Sequence, residues 1–271
     1  MQRLRRKHHY WIPFVLKKIS LVRSAGLALC VFAFGLPASG AVAPTVKRNH
    51  RLIEPSLRLS AKSSGAPEVA LTFDACMGKV DHRILDMLVD EKIPATIFVT
   101  ARWLKRNPEA FAVLKTHPDL FEIEDHGANH VPAVERAVSI YGIKAAGSPE
   151  AVAAEVSGGA EAIVQAGAAR PLWFRGATAK YSTQSIAQIE AMGYKIAGFS
   201  INGDGGSLLG DRITERRIAA AKDGDVIISH INQPDHGAGD GVVRGVMDLK
   251  KRGYRFVLLR DQDEVMKSAA R

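Results

Sequence analysis

The pattern of apolar and polar positions changes character near Glu68. Residues 42–66 are polar, basic and rich in Ser, Pro and Arg, with no sustained apolar period, and are expected to form a linker or an edge-wrapping N-terminal arm. From Glu68 onward, apolar runs of strand length alternate with amphipathic stretches of helical period. Runs at residues 69–73, 95–99, 120–123, 172–174, 194–199, 226–228 and 256–259 predict seven strands. Between them, Ile84, Leu85 and Leu88 fall at helical spacing. Asn107-Pro108 and Ser148-Pro149-Glu150 each place a capping side chain before a first-turn proline. Further helices are expected over residues 182–192, closed by Gly193, after a cap at Thr214, and near residues 242–251, closed by Gly253.

Repeated strand–helix units imply parallel strands covered by helices, an α/β fold that is either a barrel or a doubly wound sheet. In both architectures chemistry gathers at the carboxyl ends of the strands. The polar residues just past the runs are Asp74; His126 and His130; Arg175; Asn202 and Asp204; and His230. Thr100 and Arg260 end the other two. These are residue types that hydrolysis uses, and the fold places them on one face.

Composition narrows the setting. The 271 residues are 46% hydrophobic and 24% charged, ordinary for a globular protein. A net charge of +9 suggests nucleic acid until it is located: residues 1–41 hold seven Lys or Arg and no acid, which leaves +2 for the rest. Nucleic acid is therefore not an expected partner. That basic segment leads into the apolar run 25–36 and then Pro37-Ala38-Ser39-Gly40-Ala41, the layout of a secretory signal peptide. A membrane anchor is the alternative, but it needs about 20 apolar residues and this run is shorter and broken by glycine. The expected protein is exported, periplasmic or extracellular, with no stable anchor after cleavage. Cys76 is then its only cysteine, which precludes an intrachain disulfide.

Each candidate residue has a plainer alternative. His126-Gly127-Ala128-Asn129-His130 puts two imidazoles four apart, which on a helical turn brings them within reach of a common metal, and chance spacing is the alternative. Asp74 ends an apolar run as a base would, or as a cap would. His230 ends another, as an acid–base group or a satisfied core histidine. Arg175 would orient a neighbouring carboxylate, or pair at the surface. Cys76 reads first as a small buried residue, with soft ligand or reactive thiol as its other roles. The glycines at 203, 205 and 206 lack the Lys-Ser/Thr that completes a phosphate-binding loop.

Taken in order, these segments resemble the NodB-homology polysaccharide deacetylases, carbohydrate esterase family four. Thr72-Phe73-Asp74-Ala75 is similar to the family's Thr-Phe-Asp-Asp; His126 and His130 match its His pair. Arg175-Gly176-Ala177-Thr178 stands where the family has Arg-Pro-Pro-Tyr, Ser200-Ile201-Asn202-Gly203-Asp204 where it has an Asp-containing loop, and Ile227-Ile228-Ser229-His230 where it has a strand ending in His. The resemblance implies a single-domain distorted (β/α)7 barrel, resembling a TIM barrel, over residues 67–262, with a C-terminal tail at 263–271. It implies hydrolysis of the N-acetyl amide of amino sugars in a cell-wall or extracellular glycan. Asp74 would be the base, His230 the acid and Arg175 the residue that positions Asp74. Thr178, Asn202 and Asp204 would support substrate or catalytic groups. His126 and His130 would hold a divalent metal, zinc being the expected identity. The family's third ligand is the motif's second aspartate, here Ala75; water, Asp74, Cys76 or Asp125 are the replacements open, Asp125 the least favoured because it precedes His126 and points to the other side. Two rival readings are a carbohydrate-binding pseudoenzyme and a metal-dependent amidase acting on a non-sugar amide.

Overall fold

Apolar runs become strands where both faces are buried, and helices begin where a side chain satisfies their first free N–H groups. The computed structural model describes residues 51–60 and 65–262, and the backbone of 264–269; the expected signal segment at residues 1–41 lies outside the described residues. The chain forms β1 (Glu54–Leu59), β2 (Glu68–Ala75), α1 (His82–Asp90), β3 (Ala95–Val99), α2 (Ala101–Arg106), α3 (Pro108–Thr116), β4 (Phe121–Asp125), β5 (Ser139–Ile140), β6 (Ile143–Lys144) and α4 (Pro149–Gln165). It continues through β7 (Trp173–Phe174), α5 (Thr183–Ala191), β8 (Lys195–Ile196), β9 (Ile201–Asn202), α6 (Asp211–Ala219), β10 (Asp225–His230), α7 (Ala238–Lys251), β11 (Arg255–Phe256) and β12 (Glu264–Ala269).

The seven expected strands are β2, β3, β4, β7, β8, β10 and β11. Neighbours pair in parallel in the order β10-β2-β3-β4-β7-β8, with β11 beside the start of β2 and the short β9 beside β10. With the helices outside, this is a nearly closed (β/α)7 barrel. Two layers share each strand. Ala70, Phe98, Trp173, Ala197 and Val226 fill the interior. Val69, Leu71, Phe73, Ala75, Ile97 and Val99 pack outward against Ile84, Leu88, Trp103, Val242 and Leu249 of the helices.

The stretch expected to be a linker or arm contributes more than that. Pro55, Leu57 and Leu59 of β1 are buried in strand alternation, and β1 pairs antiparallel with β10 and with β12, where a tail was expected. The Leu57 N–H donates to the Phe199 carbonyl and the Phe199 N–H to Pro55, and Ile53 bridges Tyr181. β1 thus runs along the seam between β8 and β10. Burying an aliphatic side chain contributes roughly 1.5–3 kcal/mol, so Leu57 and Leu59 pin the arm to the barrel interior.

Ser148 and Ser182 cap α4 and α5 through their hydroxyls. Two other cap assignments are corrected. Thr214 lies inside α6 and is buried, because Gly210 in extended backbone opens that helix one turn earlier. Asn107 precedes Pro108 without a side-chain cap bond: its amide is committed to Val80 N–H and the Gly78 and Trp103 carbonyls.

The interior near the start of β4 holds two carboxyls, Glu122 and Glu124. Burial raises both, Glu124 to about 9 with the Glu122 charge adding to the effect. Glu124 accepts from Leu172 and Trp173 N–H at 2.8 and 2.7 Å. A carboxyl raised in the folded state keeps a proton that the unfolded chain releases, so its stabilising contribution is complete below the ordinary Glu range and is lost as pH rises toward 9. Glu124→Gln is expected to flatten the fall in melting temperature between pH 5 and pH 9, because the amide keeps the acceptor and cannot ionise. An unchanged slope would place that pH dependence elsewhere.

Candidate metal-assisted hydrolytic site

Asp74 and His230 face each other in register at the carboxyl ends of β2 and β10. Parallel pairing in register puts both side chains on the interior face, beside the ends of β4 and β7. Arg175, just past β7, is fully buried and supplies the interior's cation. Its Nη1 donates to Asp74 Oδ1 at 3.0 Å and to Thr72 Oγ1 at 2.9 Å, its Nε and Nη2 donate to the Ala197 and Gly198 carbonyls, and the guanidinium lies 4.3 Å from the Phe98 ring centroid. The second Asp74 oxygen is 3.7 Å from His126 Nε2. Burial works against the Asp74 carboxylate, but the charges of His126, Arg175 and His230 outweigh it and hold the carboxyl below its usual range.

The histidine pair sits on a loop after β4, correcting the helical turn expected from its spacing. Backbone turns do the work of the helix: Gly127 has φ +87° and His130 φ +61°, and the two rings end with centroids 5.1 Å apart. A positive φ at a non-glycine residue is strained, and the surroundings must hold it. Glu155 of α4 does so, accepting from Asn129 and Val131 N–H at 2.9 and 3.0 Å. Gly159 lets α4 come this close, since a Cβ there would meet Asp125 Oδ1 at 2.0 Å and Gly127 Cα at 2.8 Å. Asp125 therefore faces α4, away from the histidines.

His126 Nδ1 lies 2.5 Å from the Arg175 carbonyl, which can only accept; the ring thus donates there and turns Nε2 toward the interior, where it can ligate once its proton has left. Cys76 Sγ is 3.5 Å from that Nε2. One donor atom from each of Cys76, His126 and His130 lies within 4.8 Å of the others, a candidate metal-binding triad of sulfur and imidazole donors. Burial opposes the Cys76 thiolate, yet the His126 charge and hydrogen bonds from His126, His130 and His230 draw the thiol well below its usual range. Against the same burial, the Asp74 and Cys76 charges raise His126 to about 9.

His230 is oriented by Asp204, which is fully buried in the loop after β9. Asp204 Oδ2 accepts from His230 N–H at 2.6 Å, and Oδ1 lies 3.0 Å from Nδ1. Burial lowers His230, but Asp204 overrides it and raises the imidazole well above its ordinary value. Asn202 is separate: it is exposed, and its side chain accepts from Gly205 N–H at 2.8 Å, capping the loop. Thr178, with φ +70°, lies on a one-turn helix after Arg175, its Oγ1 buried without a hydrogen-bond partner among the described residues. Tyr141 caps the β5–β6 hairpin, exposed to solvent, with Lys180 Nζ 5.0 Å from its ring centroid.

Glu155 escaped the sequence reading, Thr100 was noted there without a role, and Cys76 stood as one of several candidates for the third ligand. Glu155 and Thr100 act through backbone groups distant in sequence, Thr100 Oγ1 donating to the Cys76 carbonyl. Cys76 did carry a signal: it is two residues past Asp74 on an extended segment and so shares its face.

The polysaccharide deacetylase family model matches residues 61–197. A T48 deacetylase solved with substrate is 25% identical, with a TM-score of 0.58 over 76% of this chain and 97% of its own. The peptidoglycan deacetylase PdaC from Bacillus subtilis is 19% identical, TM-score 0.59, over 73% of this chain and 90% of its own. A carbohydrate esterase family 4 pseudoenzyme from Bacillus anthracis is 17% identical, TM-score 0.57, over 73% and 66%. The last two likenesses show the fold alone. Among curated protein sequences the chain has no match. Barrel, motif order and family match agree, and the chain belongs to the polysaccharide deacetylase family.

Proposed function

We propose that the protein is an exported hydrolase that removes acetyl groups from N-acetylated amino sugars in a cell-wall or extracellular glycan, with metal assistance. The observation that carries this reading is the convergence of a buried Asp74–Arg175 pair and a His230–Asp204 pair on the Cys76, His126 and His130 cluster. A binding groove alone has no use for a positioned carboxylate opposite a positioned imidazole. His126 and His130 would hold a divalent ion, zinc being the identity their donor chemistry suits. Such an ion, when bound, polarises the acetyl carbonyl and makes water more acidic.

The residues divide the proton work. Asp74, fixed by Arg175 through one oxygen, accepts the proton of the attacking water on the other. Charge that develops on the acetyl oxygen meets a backbone N–H near Thr178. His230, its Nδ1 held by Asp204, donates a proton to the departing amine. Asn202 keeps the loop that carries Asp204 in shape. Acetate and a free amino sugar leave. The basic, then apolar, N-terminus supports export.

The test is acetate release from N-acetylglucosamine oligomers, with simple acetylated amines as the non-sugar comparison. Expected are turnover of the oligomers, loss on chelation and recovery on adding zinc. Turnover of the amines alone would make the protein a non-sugar amidase. The second reading, a glycan-binding pseudoenzyme, is favoured by Ala75 in place of the motif's second aspartate; oligomer binding without acetate release would establish it.

A further inference from the structure

The family motif puts the third metal ligand at position 75, where this chain has alanine. The structure gives position 75 a different environment. Ala75 is fully buried on the outward face of β2, in the apolar layer that includes Leu71, Phe73, Val99 and Trp103. In this apolar setting a carboxylate would have to leave water for hydrocarbon. The next residue returns to the interior face, as alternation along an extended chain requires.

That residue is Cys76. Its sulfur is 3.5 Å from His126 Nε2, within the set of three donor atoms that includes His130. Its partner His126 and its own backbone are both held in place. His126 spends Nδ1 on the Arg175 carbonyl, the outer hydrogen bond that fixes a ligating imidazole with Nε2 outward. The Cys76 backbone is held by Thr100, whose hydroxyl donates to its carbonyl and whose N–H donates to that of Ala75. Asp74 is already engaged by Arg175 and falls outside the three-donor set. Charge is conserved as well: a thiolate supplies the single negative charge that a carboxylate ligand would have brought.

We propose that Cys76 is the third protein ligand, so that one thiolate and two imidazoles hold the metal and the site selects borderline-soft cations such as zinc or cobalt over magnesium, calcium or manganese. The inference rests on the metal-assisted reading above and specifies how the ion is held. Sulfur ligation also separates it from a nucleophilic Cys76 activated by the neighbouring His230, a role that needs the sulfur free.

Cobalt(II) titration of the metal-stripped protein, followed by absorption, tests this without turnover. The wild type is expected to develop a stoichiometric sulfur-to-cobalt charge-transfer band in the near ultraviolet, with magnesium failing to compete. Cys76→Ser should lose the band and bind cobalt at least about a hundredfold more weakly. Cys76→Asp, which restores an anionic ligand, should lose the band but bind within about tenfold of wild type. Stoichiometric cobalt binding by the wild type without the band, or undiminished affinity in Cys76→Ser, overturns the assignment of Cys76 and leaves the deacetylase reading intact. No cobalt or zinc binding by the wild type overturns both.

Discussion

Asp74→Asn is expected to slow acetate release by about 10²–10⁴-fold, the usual contribution of a positioned general base, without loss of cobalt binding. The amide has the same shape and still offers Arg175 Nη1 an oxygen at the position of Oδ1, so the interior keeps its geometry. What it lacks is basicity. Below-range titration of Asp74, produced by His126, Arg175 and His230 against the cost of burial, leaves the carboxylate ionised at neutral pH. Hydrogen bonds to charged groups contribute about 1.5–3 kcal/mol, so a modest drop in melting temperature should accompany the kinetic loss. Three measurements separate the roles: initial rates, thermal unfolding and the cobalt spectrum. Unchanged rates would exclude Asp74 as the base. A joint loss of rate and cobalt affinity would make it a ligand.

The fold was legible where the chain repeats itself and the site was legible where the fold delivers it. Buried parallel strands announce themselves as uninterrupted apolar runs, and all seven expected strands join the barrel. Asp74, Arg175 and His230 could be placed together because strand ends share a face. The rest depended on partners far along the chain. β1 is held as a strand by β10, β12 and residues near Phe199, and its short alternation of Pro55, Leu57 and Leu59 is masked by the polar, basic stretch around it. Asn107 looked like a helix cap because local sequence cannot show that its amide is needed by Val80 and Gly78. Asp204 and Asn202 were equal candidates to tune His230 until the loop's curvature turned one inward and the other to solvent. Cys76 stood only as one of four replacements for the missing ligand, because motif alignment directs attention to position 75, although strand alternation points to 76.

Arg175→Met should be the most destabilising single change at the site. Removing one partner of a buried ion pair costs about 3–5 kcal/mol, because the remaining charge stays in the interior without compensation. Here the loss extends further: the Ala197 and Gly198 carbonyls and Thr72 Oγ1 lose the donor they share. For a domain of this size, 1 kcal/mol corresponds to about 2–4 °C, so the melting temperature should fall by roughly 6–20 °C. Acetate release should fall with it, since Asp74 loses both its positioning bond and the cation that keeps it ionised. The energetic share of the pair itself is measurable by combining Arg175→Met with Asp74→Asn. If the charge left on Asp74 dominates the cost, the double variant is more stable than Arg175→Met alone, and the two changes together cost less than their sum by a coupling of about 0.5–3 kcal/mol. If the double variant is no more stable, the guanidinium serves the barrel chiefly through the β8-side carbonyls, and Asp74 is carried by a scaffold that does not depend on its charge.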